Sequence, residues 1–231
     1  VIRLPERAAL FLDLDGTLID LAPTPDSVVV PPELPTLLRA LHHRLDGALA
    51  IVTGRPIAQV DALLPGIPFA VAGEHGGAIR PTPDAEILRA PSEPVPLAFL
   101  DAAETLVARH PGAILERKAR GYVLHFRRAP EAGPVFEQHL RTTLQNWPHH
   151  RISAAHMAWE IKPQGIDKGV AVATLMASAP FAGRVPVFIG DDVTDEDGMR
   201  AARQFGGIGL RVQEAFGDPA GVRKWLEEVL F

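Results

Sequence analysis

The stretch Leu10-Phe11-Leu12-Asp13-Leu14-Asp15-Gly16-Thr17 is an apolar run that closes on two carboxylates and a turn. A run without polar alternation suits a strand buried on both faces, as in a parallel sheet. Open α/β sheets bind ligands at the C-terminal ends of their strands, which is where Asp13 and Asp15 fall.

Working outward, Leu34, Leu37, Leu38, Leu41 and Leu45 follow helical spacing. Ala48 to Thr53 reads as a second buried strand, Pro56 opens a helix to about Leu64, and Phe69 to Ala72 is a third strand. This alternation predicts a parallel, doubly wound sheet. After Arg80 the rhythm changes. Residues 81–96 hold five prolines and read as a linker, and Leu97, Leu100, Ala103 and Leu106 mark a helix. Ile114 to Lys118 and Tyr122 to Arg127 read as paired strands around Ala119-Arg120-Gly121. A helix bearing Phe136, Leu140, Leu144 and Trp147 follows, then strands near Ile152 and Trp159-Glu160-Ile161. The first rhythm resumes with a helix near Asp167, a strand Val185 to Ile189, a further helix, a strand near Ile208 to Val212 and a last helix from Pro219. The expected fold is α/β, a Rossmann-like parallel-sheet core over 1–92 and 164–231, split by an α+β cap over 93–163.

Composition limits the functions. The 231 residues are 47% apolar and 22% charged, enough for a sizeable core, and the net charge of −5 argues against a nucleic-acid or anionic-membrane partner. With no cysteine there is no disulfide, zinc–thiolate site, iron–sulfur cluster or thiol nucleophile. No apolar run approaches the ~18 residues of a membrane span. Val1 to Pro5 lacks a signal-peptide layout and, starting without Met, is expected to be a trimmed terminus. A soluble, cytoplasmic protein, monomeric or weakly oligomeric, is the expectation.

Two carboxylates two residues apart can divide two roles, one attacking as a nucleophile and the other carrying a proton. Solvated acids at a strand end are the plainer alternative, but the apolar strand before them and Gly16-Thr17 after them favour catalysis. Thr53-Gly54-Arg55 ends the second strand, where a hydroxyl and a guanidinium can hold an anion approached closely over the glycine. Read otherwise, it is a strand-to-helix turn with Thr53 as cap. Lysine is scarce in this chain, with only Lys118, Lys162, Lys168 and Lys224. Lys168 opens a helix, where its charge opposes the dipole, so neutralising a bound phosphate explains it better. Gly190-Asp191-Asp192-Val193-Thr194-Asp195-Glu196 packs four acids behind a buried strand, which invites a hard cation, most simply Mg2+, with some acids and Thr194 serving as helix caps.

These four segments, in order and at strand ends, resemble the haloacid dehalogenase superfamily of aspartate-nucleophile phosphatases. More narrowly, Trp159-Glu160-Ile161-Lys162-Pro163 running into Lys168-Gly169, with the acidic segment above, resembles the trehalose-6-phosphate phosphatase family. Glu116-Arg117-Lys118, His125-Phe126-Arg127 and Gly73-Glu74-His75-Gly76 add to that resemblance. It implies Asp13 as nucleophile, Asp15 as general acid/base, and Thr53 and Lys168 on the phosphoryl group. It implies Mg2+ on Asp13, the main-chain carbonyl of Asp15 and Asp191, with Asp192 and Asp195 in support. Glu116, Lys118 and Glu160 would meet the sugar hydroxyls, with Gly54, Arg55 and His75 as further substrate contacts.

Glu116 and Lys118 share one polar strand face while Leu115 points away, and Lys118 is taken as the lone lysine on a cap strand. An exposed ion pair is the competing reading of Glu116 and Lys118. His75, His125 and Arg127 are weaker candidates, since a lone histidine is more often structural, and His42-His43 and His149-His150 read as solvated helix-end residues. The implied substrate is a small sugar phosphate, trehalose 6-phosphate before sucrose or glucosylglycerol phosphate. A catalytically silent sugar-phosphate-binding module is the rival of another class, disfavoured by the presence of both Asp13 and Asp15.

Overall fold

The computed structural model describes residues 2–22, 27–90, 93–118, 120–155 and 157–230. In chain order the strands and helices begin with β1 (Ala8–Leu12), α1 (Leu34–Arg44), β2 (Leu49–Val52), α2 (Ile57–Leu63), β3 (Ala70–Gly73), β4 (Ala78–Arg80) and β5 (Leu88–Arg89). Next come α3 (Leu97–Ala108), β6 (Ile114–Lys118), β7 (Gly121–His125), α4 (Gly133–Gln145), β8 (His150–Ala155) and β9 (Ala158–Pro163). The chain closes with α5 (Lys168–Met176), β10 (Val185–Gly190), α6 (Asp195–Gln204), β11 (Ile208–Arg211), α7 (Val212–Ala215) and α8 (Pro219–Glu228). It divides into two compact units, one of residues 1–90 with 166–231 and one of residues 91–165.

The first unit is built on a seven-stranded sheet in the order β11-β10-β1-β2-β3-β4-β5. The five strands from β11 to β3 are parallel, and β4 and β5 add an antiparallel edge. Every residue of β1 is buried, which is why its sequence shows no alternation. From β1 the chain winds outward to β2 and β3, and later returns on the other side through β10 and β11. Right-handed crossovers in opposite directions put helices on both faces, and the crevice at such a reversal lies between β1 and β10.

The second unit is a four-stranded antiparallel sheet, β6-β7-β9-β8, with α3 and α4 against one face. Its core joins Tyr122, Leu124 and Ile161 to Leu100, Ala103, Phe136 and Leu140. Glu116 pairs in register with Val123, Val123 with Glu160 and Glu160 with Ser153. Directly opposed residues point the same way, so these four share the sheet face opposite Tyr122 and Leu124.

Several expectations change. The segment 81–96 is not plain linker, because Leu88 and Arg89 pair with Ile79 and Ala78. Leu97 opens α3 but is 73% exposed, since the first helical turn lies beyond the packed stripe. Trp147 sits past the end of α4, yet is buried through its contacts with Phe99 and His150. His150 is no solvated helix-end residue, because it opens β8, is buried and stacks on Trp147 at 3.3 Å between ring centres. Pro91 of the expected linker and Ala119 of the expected turn lie outside the described residues.

Phe136 is fully buried, with ring contacts to His110 at 5.4 Å and Phe126 at 6.3 Å. Phe136→Ala should therefore cost about 3–5 kcal/mol in urea unfolding. A loss under about 1 kcal/mol would mean that α4 is not packed as described.

Candidate active site

The acids fall where the strands end. Asp13 follows β1 directly, and its amide donates to the Ile189 carbonyl of β10 at 3.0 Å, which pins the residue across the β1–β10 seam. The chain then turns at Gly16, whose φ of +78° is left-handed. A Cβ there would lie 2.2 Å from Oδ2 of Asp191, so only glycine leaves room for that carboxylate. Gly190 does the same for Asp195, whose Cγ would be 2.2 Å from a Cβ at 190.

Lys168 ties the set together. Its Nζ donates to Asp13 Oδ1 and to Asp195 Oδ1, each at 2.6 Å, and all three side chains are buried. Asp13 Oδ2 accepts from the Thr17 hydroxyl at 3.1 Å. Asp195 Oδ2 accepts from the amides of Asp191 and Asp192 at 3.0 and 2.9 Å, folding the acidic loop around itself. Arg211 donates to the Asp191 carbonyl and pairs with Glu196. Among the described residues, Asp13, Asp191 and Asp195 form one carboxylate group able to hold a cation, with ligand atoms within 4.8 Å of one another.

Three buried or half-buried acids against one ammonium leave excess negative charge. Burial pushes Asp13 up to about 7, and Asp195 and Asp191 add to that rise against the pull of Lys168. Asp191 is raised as well, by burial first and then by Asp195 and Asp192. Burial works against the Lys168 charge, but Asp13 and Asp195 outweigh it and hold the ammonium above its ordinary range. A divalent cation with oxygen ligands fits this donor set.

Asp15 and Arg55 form a bidentate pair, with both nitrogen–oxygen distances at 2.7 Å. Thr53 is buried, its hydroxyl oxygen accepting from the Arg55 amide at 3.2 Å, but α2 starts only at Ile57 with Pro56 before it, so Thr53 does not cap that helix. The structure therefore brings Asp13, Asp15, Thr53, Gly54, Arg55, His75, Lys168, Asp191 and Asp195 to one end of the parallel sheet. Asp192 does not join the cluster, because it is exposed and its carboxylate accepts from the Val193 amide. Thr194 precedes α6 but makes no capping bond.

In the second unit Glu116, Lys118 and Glu160 lie on the polar sheet face. Glu116 pairs with His125 at 2.8 Å and with Lys118 at 3.4 Å. Burial alone would raise Glu116, but the bonds from His125 and Lys118 hold it below the usual carboxylate range. Lys118 is not the lone lysine here, because Lys162 stands on β9 and pairs with Glu160 at 3.3 Å. A cleft of about 630 Å3 is lined by Ile114, Glu116, His125, Arg127, Arg128 and Met157.

The trehalose-phosphatase family profile matches residues 11–219. The chain belongs to the trehalose-phosphatase family. Members of this family are phosphoric monoester hydrolases with the haloacid dehalogenase-like fold. The chain is 42% identical to a probable trehalose-phosphate phosphatase of Sinorhizobium fredii, over 88% of this chain and 77% of that one. It is 38% identical to the trehalose-6-phosphate phosphatase of Escherichia coli, over 91% of this chain and 79% of that one. In fold it is similar to the C-terminal domain of trehalose-6-phosphate phosphatase from C. albicans, at a TM-score of 0.74 and 19% identity over 97% and 92% of the two chains.

In this trehalose-phosphatase chain the sequence reading gives no role to three residues that bond to the candidate site, Thr17, Lys162 and Arg211. Thr17 was quotable from its motif, four residues after Asp13 as a returning turn requires. Lys162 was legible from its two-residue spacing to Glu160. Arg211 carried no local signal, since it meets Asp191 only through the β10–β11 pairing.

The Asp13 shift sets a pH dependence. Its folded value of about 7 lies above the ordinary 3.8, so the folded state binds more protons between the two. The stability this contributes is present in full below the lower value and lost as pH rises through the upper one. In EDTA, the urea midpoint should fall from about pH 5 to about pH 8 more steeply in the wild type than in Asp13→Asn. Parallel slopes would mean that Asp13 does not titrate in that window.

Proposed function

We propose that the protein hydrolyses trehalose 6-phosphate to trehalose and phosphate through an aspartyl phosphate on Asp13, with Mg2+ as cofactor. Family membership and the names of the E. coli and S. fredii relatives support the substrate. The observation that carries the chemistry is the Lys168 ammonium 2.6 Å from both Asp13 and Asp195 in a buried site at the sheet's ligand-binding end.

A carboxylate oxygen of Asp13 attacks phosphorus as the bond from phosphorus to the sugar oxygen breaks. Asp15 gives its proton to the departing sugar oxygen. Water then attacks phosphorus in the aspartyl phosphate, Asp15 takes a proton from that water, and Asp13 leaves as the free carboxylate with inorganic phosphate. The Asp15–Arg55 pair must open for Asp15 to serve. Thr53 and Lys168 hold the phosphoryl oxygens, and Lys168 offsets their charge as it builds toward the transition state. Asp13, the Asp15 carbonyl and Asp191 would hold Mg2+, which supplies the remaining charge neutralisation when bound. Glu116, Lys118 and Glu160 bind sugar hydroxyls and so separate one sugar phosphate from another.

Asp13→Asn keeps the shape and removes the attacking charge, so phosphate release should fall by orders of magnitude in a fold that survives. EDTA should abolish turnover and Mg2+ should restore it. Residual activity within about tenfold of wild type, a barrier change under about 1.4 kcal/mol, would rule out Asp13 as the nucleophile. Full activity after exhaustive chelation would rule out the metal.

Lys118→Ala and Glu160→Ala should each cut kcat/KM for trehalose 6-phosphate roughly 10- to 150-fold, the loss of one charged hydrogen bond. Both should spare p-nitrophenyl phosphate, which has no sugar. Equal losses on the two substrates would contradict a sugar-binding role.

A further inference from the structure

Three consecutive residues, Glu74, His75 and Gly76, take left-handed φ values of +53°, +56° and +96°. For the glutamate and the histidine this is a costly backbone. It persists only where surrounding contacts over-determine it. Here those contacts run to both segments proposed to grip phosphate.

On one side the turn holds the loop after β2. The Glu74 amide donates to the Arg55 carbonyl at 3.0 Å, and the His75 amide donates to the Thr53 carbonyl at 2.9 Å. The imidazole fills the space beside Gly54, where a Cβ would lie 2.6 Å from its Cε1 and Nε2. A Cβ on Gly73 would lie 2.7 Å from the Arg55 carbonyl oxygen, so the backbones also meet closely there. On the other side, a Cβ on Gly76 would come 2.5 Å from the Asp167 carbonyl oxygen and 3.3 Å from the Ala171 Cβ. Asp167 caps α5 by accepting from the Val170 amide at 2.9 Å, and Lys168 is the first residue of that helix. The turn is braced from behind by β5, through an Arg89–Glu74 ion pair at 3.2 Å and the Ala90 amide on the Gly77 carbonyl at 3.0 Å.

We infer that the Glu74-His75-Gly76 turn is a spacer between Thr53-Gly54-Arg55 and the start of α5, and that His75 is a positioning residue for the phosphoryl site. This reading rests on the proposed phosphatase activity and differs from the sequence expectation that His75 touches the substrate. His75 acts through its neighbours. Its ring and its left-handed backbone fix where the Thr53 hydroxyl stands relative to the Lys168 ammonium, so its loss weakens the grip on phosphate whatever alcohol the phosphate is attached to.

The test compares His75→Ala, His75→Asn, Gly54→Ala and the double variant Gly54→Ala/His75→Ala. Asparagine tolerates the left-handed region and keeps the backbone bonds should alanine unfold the turn. Readouts are kcat and KM for trehalose 6-phosphate and for p-nitrophenyl phosphate, the inhibition constant of inorganic phosphate, and the Mg2+ concentration at half-activation. For His75→Ala we expect tenfold or larger losses of kcat/KM, equal on the two substrates. Inhibition by phosphate should weaken to match, with Mg2+ half-activation unchanged. His75→Asn should recover part of the loss. Gly54→Ala should do similar damage alone but add less than twofold to His75→Ala, because the ring it would strike is gone. A loss confined to trehalose 6-phosphate, unchanged phosphate inhibition, or multiplying losses in the double variant would overturn the inference while leaving the phosphatase reading intact. A wild-type protein that hydrolyses neither substrate would overturn both.

Discussion

One ammonium between two buried carboxylates is the constraint around which the first unit is arranged. Removing a carboxylate or an ammonium from water costs several kcal/mol per ion, and only close, well-aligned partners recover it. Lys168 meets that condition by reaching Asp13 and Asp195 together, from three segments far apart in the chain. Asp195 in turn uses its other oxygen to gather the amides of Asp191 and Asp192. Two glycines at 16 and 190 make the room these carboxylates occupy. Losing the lysine would strand buried charge, and moving any of the three segments would break the alignment.

In the proposed reaction, metal, lysine and nucleophile act as a set. A carboxylate aimed at a phosphate ester must overcome repulsion between two anions. Lys168 supplies one positive charge against three acids, and burial and mutual repulsion raise both Asp13 and Asp191. A hard cation would offset that excess, and the three acids lie close enough together to hold one.

Much of this was legible from sequence because the relevant signals are local. A fully apolar strand ending in Asp-x-Asp-Gly-Thr states both its burial and its functional end, and Lys168 stood out by opposing its own helix dipole. Counting acids was less informative than where their oxygens go. Of the four acids in 191–196, Asp192 bonds its neighbour's amide and Glu196 pairs with Arg211, so only Asp191 and Asp195 join the cluster. Strand β5 escaped the reading because two residues carry no periodicity, and prolines on both sides suggested a linker. His150 was misread because adjacent histidines look solvated, whereas stacking on Trp147 depends on a turn that no local pattern announces.

The pairing of β1 with β10 has a consequence for how the chain is made. Ala8 lies opposite Val185, and the other registered pairs follow with the same separation. At the usual ribosomal rate of roughly 5–20 residues per second, β10 emerges on the order of 10–35 s after β1. Strand β2 can pair with one edge of β1 early, but the opposite edge must wait while the whole second unit is synthesised. During that interval an apolar strand offers unmatched backbone donors and acceptors of the kind that promote association between chains. The feature that joins the two halves of the site is thus also protected late on the ribosome, after a period in which a nascent-chain chaperone would have much to shield.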